Sequence, residues 1–267
     1  MINSCGGKGL FSAEGDIWKK ERKLYGSPLN KSHIRDYVVV AKLVASRLVE
    51  KWENTMMKAG VVTINSDLNC FTTDVTSLVG FTTDIDTLRK GDHEIGRLTQ
   101  PLMRGILFRV LFPIPYWKIP IVGQYLDGVG WLVNHMARIV QQIVEEHKSV
   151  LAQYESVAHL QQEDEDFVKR SKRFLGKVLI QSERDNSTLS QDRLVGNLLT
   201  LFIAGIDSFS NTLSSCLYII AADETGLQDE LAAEIMAFSE LEKEDSLDDL
   251  NNRLPRLRSL MYEVLRV

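Results

Sequence analysis

The stretch Leu198-Leu-Thr-Leu-Phe-Ile-Ala204-Gly205-Ile206-Asp207-Ser208-Phe209 decides the fold. It sits midway along a segment that Ser190 is placed to cap and that runs to about Ala222 without a proline. One very long, mostly apolar helix is therefore predicted. Asp and Ser are poor interior residues because they compete for backbone hydrogen bonds, and Gly costs about 1 kcal/mol relative to Ala. Their joint placement breaks the local rule, and such breaks often mark function. Two readings are open. In one, the small residues let a second helix cross closely and the Ser is satisfied within the packing. In the other, Ala204 and Gly205 admit a flat ligand to the backbone. The Ser208 hydroxyl then bonds back to a carbonyl and opens a groove, which Asp207 connects to solvent protons.

Outward from this helix the chain is mainly α. Asp16 to Tyr25 predicts a short helix stopped near Gly26-Ser27-Pro28. Ile34, Val38, Ala41, Ala45, Leu48, Trp52 and Met56 recur at three- and four-residue steps, which predicts a long helix over Ser32 to Ala59 that Gly60 ends. Val61 to Asn65 alternates weakly and is the best strand candidate. Helices are expected over Asp67 to Val79, Asp92 to Leu111, Gln124 to Tyr154 and Asp164 to Ser182. Glu183 to Thr188 reads as a polar linker. Near the end, an acidic helix covers Gln228 to Glu244 and a last helix opens at Leu254-Pro255. Three prolines in Phe112-Pro-Ile-Pro-Tyr-Trp-Lys-Ile-Pro-Ile-Val-Gly123 forbid helix there, although the side chains are apolar. That loop either packs on its own domain or forms a surface that meets a membrane interface or gates a ligand channel. No repeat or domain boundary is visible, so residues 1–267 form one unit.

At 267 residues, with 44% hydrophobic and 25% charged residues, the composition is that of a globular chain with ample core. A net charge of −5 argues against nucleic-acid binding. The charge is uneven. Met1 to Lys58 carries 11 Lys/Arg against 6 Asp/Glu, whereas Asp223 to Leu250 carries 11 Asp/Glu against Lys243 alone. Such asymmetry suits solvated helix faces or a docking surface for an oppositely charged protein. No uninterrupted apolar run reaches the ~20 residues that span a bilayer, and no signal peptide is visible. Cys5, Cys70 and Cys216 are odd in number and far apart, which fits free thiols in a reducing compartment. His33, His93, His135, His147 and His159 form no metal-ligating spacing, and no phosphate-binding glycine loop is present.

Two further pairs could carry chemistry. Trp18 and Arg22 stand four apart on a predicted helix and share a face, so an indole N–H and a guanidinium make a donor pair suited to a carboxylate or phosphate. A core Trp with a snorkelling Arg has the same spacing. Glu263 and Arg266 form an i, i+3 pair that alone says almost nothing.

In this order and spacing the three features resemble the cytochrome P-450 family of haem-thiolate monooxygenases. Gly15-Asp-x-Trp18-x-x-x-Arg22-Lys23 with Pro28 is similar to the family's helix C, where Trp and Arg bond a haem propionate. Ala204-Gly205-x-Asp207-Ser208 is similar to the oxygen-groove motif Ala/Gly-Gly-x-Asp/Glu-Thr of its helix I, with Ser in place of Thr. Glu263-x-x-Arg266 resembles its structural helix K pair. Phe71-Thr-Thr-Asp-Val75 with Gly80-Phe81, and Phe112 to Gly123, fit as helix E and the loop between helices F and G. The resemblance implies a multi-helix P-450-like fold, incomplete because the N-terminal region and the Phe-x-x-Gly-x-x-x-Cys loop that ligates iron lie outside this chain. It implies haem as cofactor, O2 and a lipophilic small molecule as substrates, and catalytic roles for Asp207 and Ser208. Trp18, Arg22, Ala204 and Gly205 would bind the cofactor, and Glu263 and Arg266 would be structural. A reductase or ferredoxin-type electron donor would meet the basic residues Lys19, Lys20, Arg22, Lys23, Lys31 and Arg35. A eukaryotic full-length protein would lie on the cytosolic face of the endoplasmic reticulum. Without the thiolate loop the chain itself is expected to be inactive. The competing reading is a non-enzymatic helical remnant that binds a ligand or docks a partner.

Overall fold

A computed structural model describes residues 9–10, 13–91, 94–112, 114, 116–119, 126–157, 174–184, 190–239 and 252–266. These form α1 (Gly15–Gly26), α2 (Lys31–Ala59), α3 (Ile64–Phe81), α4 (Thr87–Lys90), α5 (Glu94–Leu111), α6 (Val129–Val157), α7 (Phe174–Arg184), α8 (Gln191–Ala222), α9 (Leu227–Ser239) and α10 (Pro255–Arg266). Short 3-10 turns occupy Ser27–Leu29 and Tyr116–Lys118.

The spine is α8. Leu194, Leu198, Phe202 and Ile206 recur every fourth residue and are all buried. They meet Phe81 of α3, Leu102 of α5, Met136 and Val140 of α6, and Leu175 and Val178 of α7 in one continuous core. Each such side chain contributes about 1.5–3 kcal/mol when fully buried. The most extensive helix contact is between α8 and α3, followed by that between α2 and α3. A second cluster of Val40, Val44, Leu48, Leu68 and Leu88 fastens α2 to α3 and α4. By length and apolar composition α8 does qualify as a membrane-crossing helix, unlike the result of counting uninterrupted apolar residues. Half of its most apolar window is buried inside the bundle, as in the core helix of a globular protein.

Polar residues set the corners. The buried Asp74 of α3 accepts hydrogen bonds from Thr87 N (2.7 Å), Thr87 Oγ1 (2.8 Å) and Leu88 N (3.1 Å), thereby capping α4. Arg47 of α2 holds Asp84 through two bonds of 2.7 and 2.8 Å. Asp127 precedes α6, caps it through Val129 N (3.0 Å), and binds Arg109 of α5 at 2.5 and 2.7 Å and the Tyr116 hydroxyl at 2.5 Å. Burial alone would raise the Asp127 carboxyl, but the bonds from Arg109, Tyr116 and Val129 outweigh it and hold the group below the ordinary carboxylate range.

The expected strand at Val61 to Asn65 is not there. Residues 61–63 are irregular, and α3 already begins at Ile64. Val61 is largely exposed and no neighbouring strand exists among the described residues, so a strand here would leave its backbone groups unpaired. Ser190 occupies the N-cap of α8 as expected, yet its side chain makes no capping bond. The predicted helix over Asp92 to Leu111 forms from Glu94 and continues through Pro101. The expected starts of the helices at Gln124 and Asp164, and the linker at Glu183 to Thr188, fall wholly or partly outside the described residues.

Candidate functional site

The exposed edge of α8 carries the motif. The Ser208 hydroxyl donates to the Ala204 carbonyl one turn earlier, at 2.5 Å. That carbonyl normally receives only the backbone N–H four residues on, so the hydroxyl competes for it and loosens the turn. Ala204 and Ser208 are exposed, and Asp207 is half-buried beside them with no side-chain hydrogen bond among the described residues. Four more hydroxyls on α8 bond backwards in the same way: Thr200 to Gly196 (2.8 Å), Ser210 to Asp207 (3.1 Å), Thr212 to Ser208 (2.9 Å) and Ser214 to Ser210 (2.8 Å).

The structure shows the close crossing directly. Thr76 of α3 presses on Gly205, where a Cβ would stand 3.2 Å from Oγ1 and 3.3 Å from Cγ2. Thr72, one turn earlier, donates to the Ile206 carbonyl at 3.1 Å. Gly205 thus serves a close helix crossing. It also borders an apolar groove of about 630 Å³ shared by Val38 of α2, Phe71 and Val75 of α3, and Leu201 and Ala204 of α8. Among the described residues, nothing between Met103 and Phe112 borders this groove.

Trp18 and Arg22 do share a face of α1, and that face points outward. Trp18 is 44% exposed, Arg22 is exposed, and neither has a hydrogen-bond or ion-pair partner among the described residues. The core-Trp reading fails because Glu21, Leu24 and Tyr25 take the buried face instead. Arg22 borders a recess of about 480 Å³ with Lys23, Ser27, Asn30 and Gln181, a donor-rich lining suited to a carboxylate. The structure does not bring this recess and the α8 groove together: neither Trp18 nor Arg22 lines the groove. Lys19, Lys20 and Lys23 are exposed on α1, while the side chains of Lys31 and Arg35 lie outside the described residues. Glu263 and Arg266 pair on the exposed face of α10, Nε to Oε2 at 2.9 Å, and Arg266 holds the Glu263 carboxyl low.

The donor set fits part of a haem. Exposed indole and guanidinium N–H groups suit its carboxylates, and the Ala204–Gly205 edge suits a flat apolar body. The axial thiolate is another matter. Cys70 on α3 is half-buried, Cys216 on α8 is buried, and burial pushes both thiols up, away from the thiolate form. Cys5 lies outside the described residues. Among the described residues no cluster of three His, Cys, Asp or Glu could hold a metal ion.

Sequence patterns missed two things. Thr72 and Thr76 were announced only by a dense run of hydroxyls in a helix. The partners of α1 on α8, Arg193 and Asn197, were announced by polar residues at i, i+4 in an apolar segment. Arg193 Nε donates to Glu21 Oε1 at 2.5 Å.

Comparisons with known proteins agree in kind. The Cytochrome P450 family model matches residues 2–267. Cytochrome P450 monooxygenase 205 of Postia placenta is 24% identical over 98% of this chain and 49% of its own length. Protein LUTEIN DEFICIENT 5, chloroplastic, of Arabidopsis thaliana is 23% identical over 81% of this chain and 36% of its own. The crystal structure of the cytochrome P450DA heme domain superposes with a TM-score of 0.75 at 20% identity, covering 99% of this chain and 53% of that one. The chain spans about half the length of the first of these relatives and of that heme domain, so what is shared is a partial fold. The match of a family model along nearly the whole sequence places this chain in the cytochrome P450 family.

Proposed function

We propose that these residues are part of a haem-dependent monooxygenase acting on a lipophilic substrate. The observation that carries the reading is the Ser208 hydroxyl held on the Ala204 carbonyl, on the exposed edge of the central helix, beside an Asp207 that is unpaired among the described residues. Bound haem supplies the redox chemistry with O2 that a polypeptide lacks. Trp18 and Arg22 bind its carboxylates. The hydroxyl of Ser208 holds a proton at Oγ, and Asp207 exchanges protons between that position and solvent. The apolar groove beside Ala204 excludes water and favours lipophilic ligands.

The exposed basic residues Lys19, Lys20 and Lys23 steer an acidic electron donor towards α1. Phe108, Leu111, Phe112, Ile114, Ile119 and Leu126 are all exposed near one another in sequence and form the surface that meets a membrane interface. Burial raises the thiols of Cys70 and Cys216, which makes both poor candidates for an iron ligand, and the 267 residues alone are expected not to turn over.

Anchoring can be tested without iron. Metal-free protoporphyrin, titrated by fluorescence, should bind more tightly than its dimethyl ester, and Arg22→Ala should abolish the difference. Equal binding of acid and ester by the unaltered chain would sink the anchoring role. In a haem-loaded longer protein, Asp207→Asn and Ser208→Ala should raise the fraction of O2 lost as peroxide. Unchanged coupling would remove both from the chemistry. A non-enzymatic ligand-binding protein is the alternative, favoured by the open apolar groove. Lipophile binding without a thiolate-type spectrum of the reduced carbon monoxide complex, in that longer protein, would support it.

A further inference from the structure

Thr72 of α3 is 3% exposed, and its Oγ1 stands 3.1 Å from each of two carbonyl oxygens. One belongs to Asn69, three residues back on α3, and the other to Ile206 of α8. A hydroxyl has a single proton to give, so the two acceptors compete for it. The Asn69 carbonyl is already served. It receives the Thr73 N–H in the ladder of α3 and the Thr73 hydroxyl at 2.8 Å, which together fill its two lone pairs. The Thr72 proton is therefore directed across the helix contact, onto Ile206.

That carbonyl belongs to the peptide that joins Ile206 to Asp207. Around it, hydroxyls of Ser208, Ser210 and Thr212 reach the carbonyls of Ala204, Asp207 and Ser208. Those three donors ride on α8 itself, so they follow the turn wherever it moves and loosen its rungs. Thr72 stands on another helix, across the most extensive helix contact of the bundle. Among the described residues it is the only side chain outside α8 that bonds to the backbone between Ala204 and Ser208.

We propose that Thr72 is a positioning residue for Asp207 and Ser208. Its hydroxyl holds the Ile206–Asp207 peptide from α3, so the turn that is loosened on its exposed side keeps one geometry. The chemistry it serves rests on the monooxygenase reading above, whereas the hold itself needs only the contact between the two helices.

Amide hydrogen exchange in the 267-residue chain tests the hold. Thr72→Val keeps nearly the same shape and removes the hydroxyl. The amides of Ser208 to Thr212 close their rungs on the carbonyls of residues 204–208. Their exchange should quicken about two- to tenfold, while that of Leu198 to Phe202, in the same helix, stays unchanged. Thr72→Ser should restore the original rates. An equal rise along both stretches would mean that Thr72 only stabilises the bundle, and no rise would mean that it does not hold the turn. Either result overturns the proposal. In the haem-loaded longer protein, Thr72→Val should raise the fraction of O2 lost as peroxide, and Thr72→Ser should not. If Asp207→Asn and Ser208→Ala raise that fraction and Thr72→Val does not, Thr72 positions neither residue. If none of the three raises it, the catalytic reading of the motif fails, and the exchange rates still decide the hold.

Discussion

Thr76 of α3 sits against the α-carbon of Gly205 in α8, so close that a methyl group added there would meet both branches of the threonine at 3.2 and 3.3 Å. A β-branched side chain cannot rotate one branch away without bringing the other in. Gly205→Ala should therefore forfeit the ~1 kcal/mol that alanine otherwise gains over glycine in a helix. With Thr76→Ala in place, the same change should recover it. Urea unfolding of the four variants measures this coupling. Equal effects of Gly205→Ala in both backgrounds would show that the crossing is looser than described.

The Arg109–Asp127 pair is buried on both sides, with side chains 7% and 8% exposed. Removing one partner of such a pair typically costs about 3–5 kcal/mol, so Asp127→Ala should unfold at markedly lower urea. The pair also sets an acid limit. Because the folded carboxyl is held low, its stabilisation is present above the ordinary pKa of ~3.9 and is lost as pH falls through the depressed value. Asp127→Ala should remove that part of the acid sensitivity, which unfolding midpoints measured down the pH scale will reveal.

Tyr25 gives the opposite limit. Burial, partly offset by the Asn197 amide, pushes its hydroxyl up to about 12 from an ordinary 10. A raised value means stability that is complete below pH 10 and is lost between about 10 and 12 as the unfolded chain ionises first. The loss is of order 2–3 kcal/mol. Tyr25→Phe should flatten this alkaline decline, and parallel decline in the variant would mean that other groups cause it.

Trp18 and Arg22 should be separable from stability altogether. Both are exposed and partnerless among the described residues. Trp18→Ala and Arg22→Ala should each change unfolding free energy by no more than about 0.5 kcal/mol. The same variants should lose the preference for protoporphyrin over its ester. A large stability loss would return Trp18 to the core.

The fold was legible where a single helix carried its own period. The long helix after Ser190, the glycine stop at Gly60 and the helix end at Leu111 ahead of the prolines are local signals, and all reappear in the structure. The strand at Val61 was misplaced because alternation over five residues says nothing about whether a partner strand exists. The site was legible as a set of residues and not as an arrangement. Nothing in the spacing of Trp18 and Arg22 distinguishes an outward face from a buried one; the choice is made by Tyr25 and Leu24, which find a core to enter. Likewise Gly205 is small on account of Thr76, more than 120 positions away, and no local pattern encodes that distance.

The five hydroxyls that fold back along α8 make its mechanics uneven. Each carbonyl they touch already has a stand-in donor, so its backbone N–H can let go at reduced cost. Between Gly196 and Ser214 these bonds loosen the rod, while its first turns are pinned by Glu21 and its buried face by Phe202 and Ile206. A load applied at Ala204 would therefore be taken up as a local flexure beside Asp207 rather than passed along the rod to the rest of the bundle.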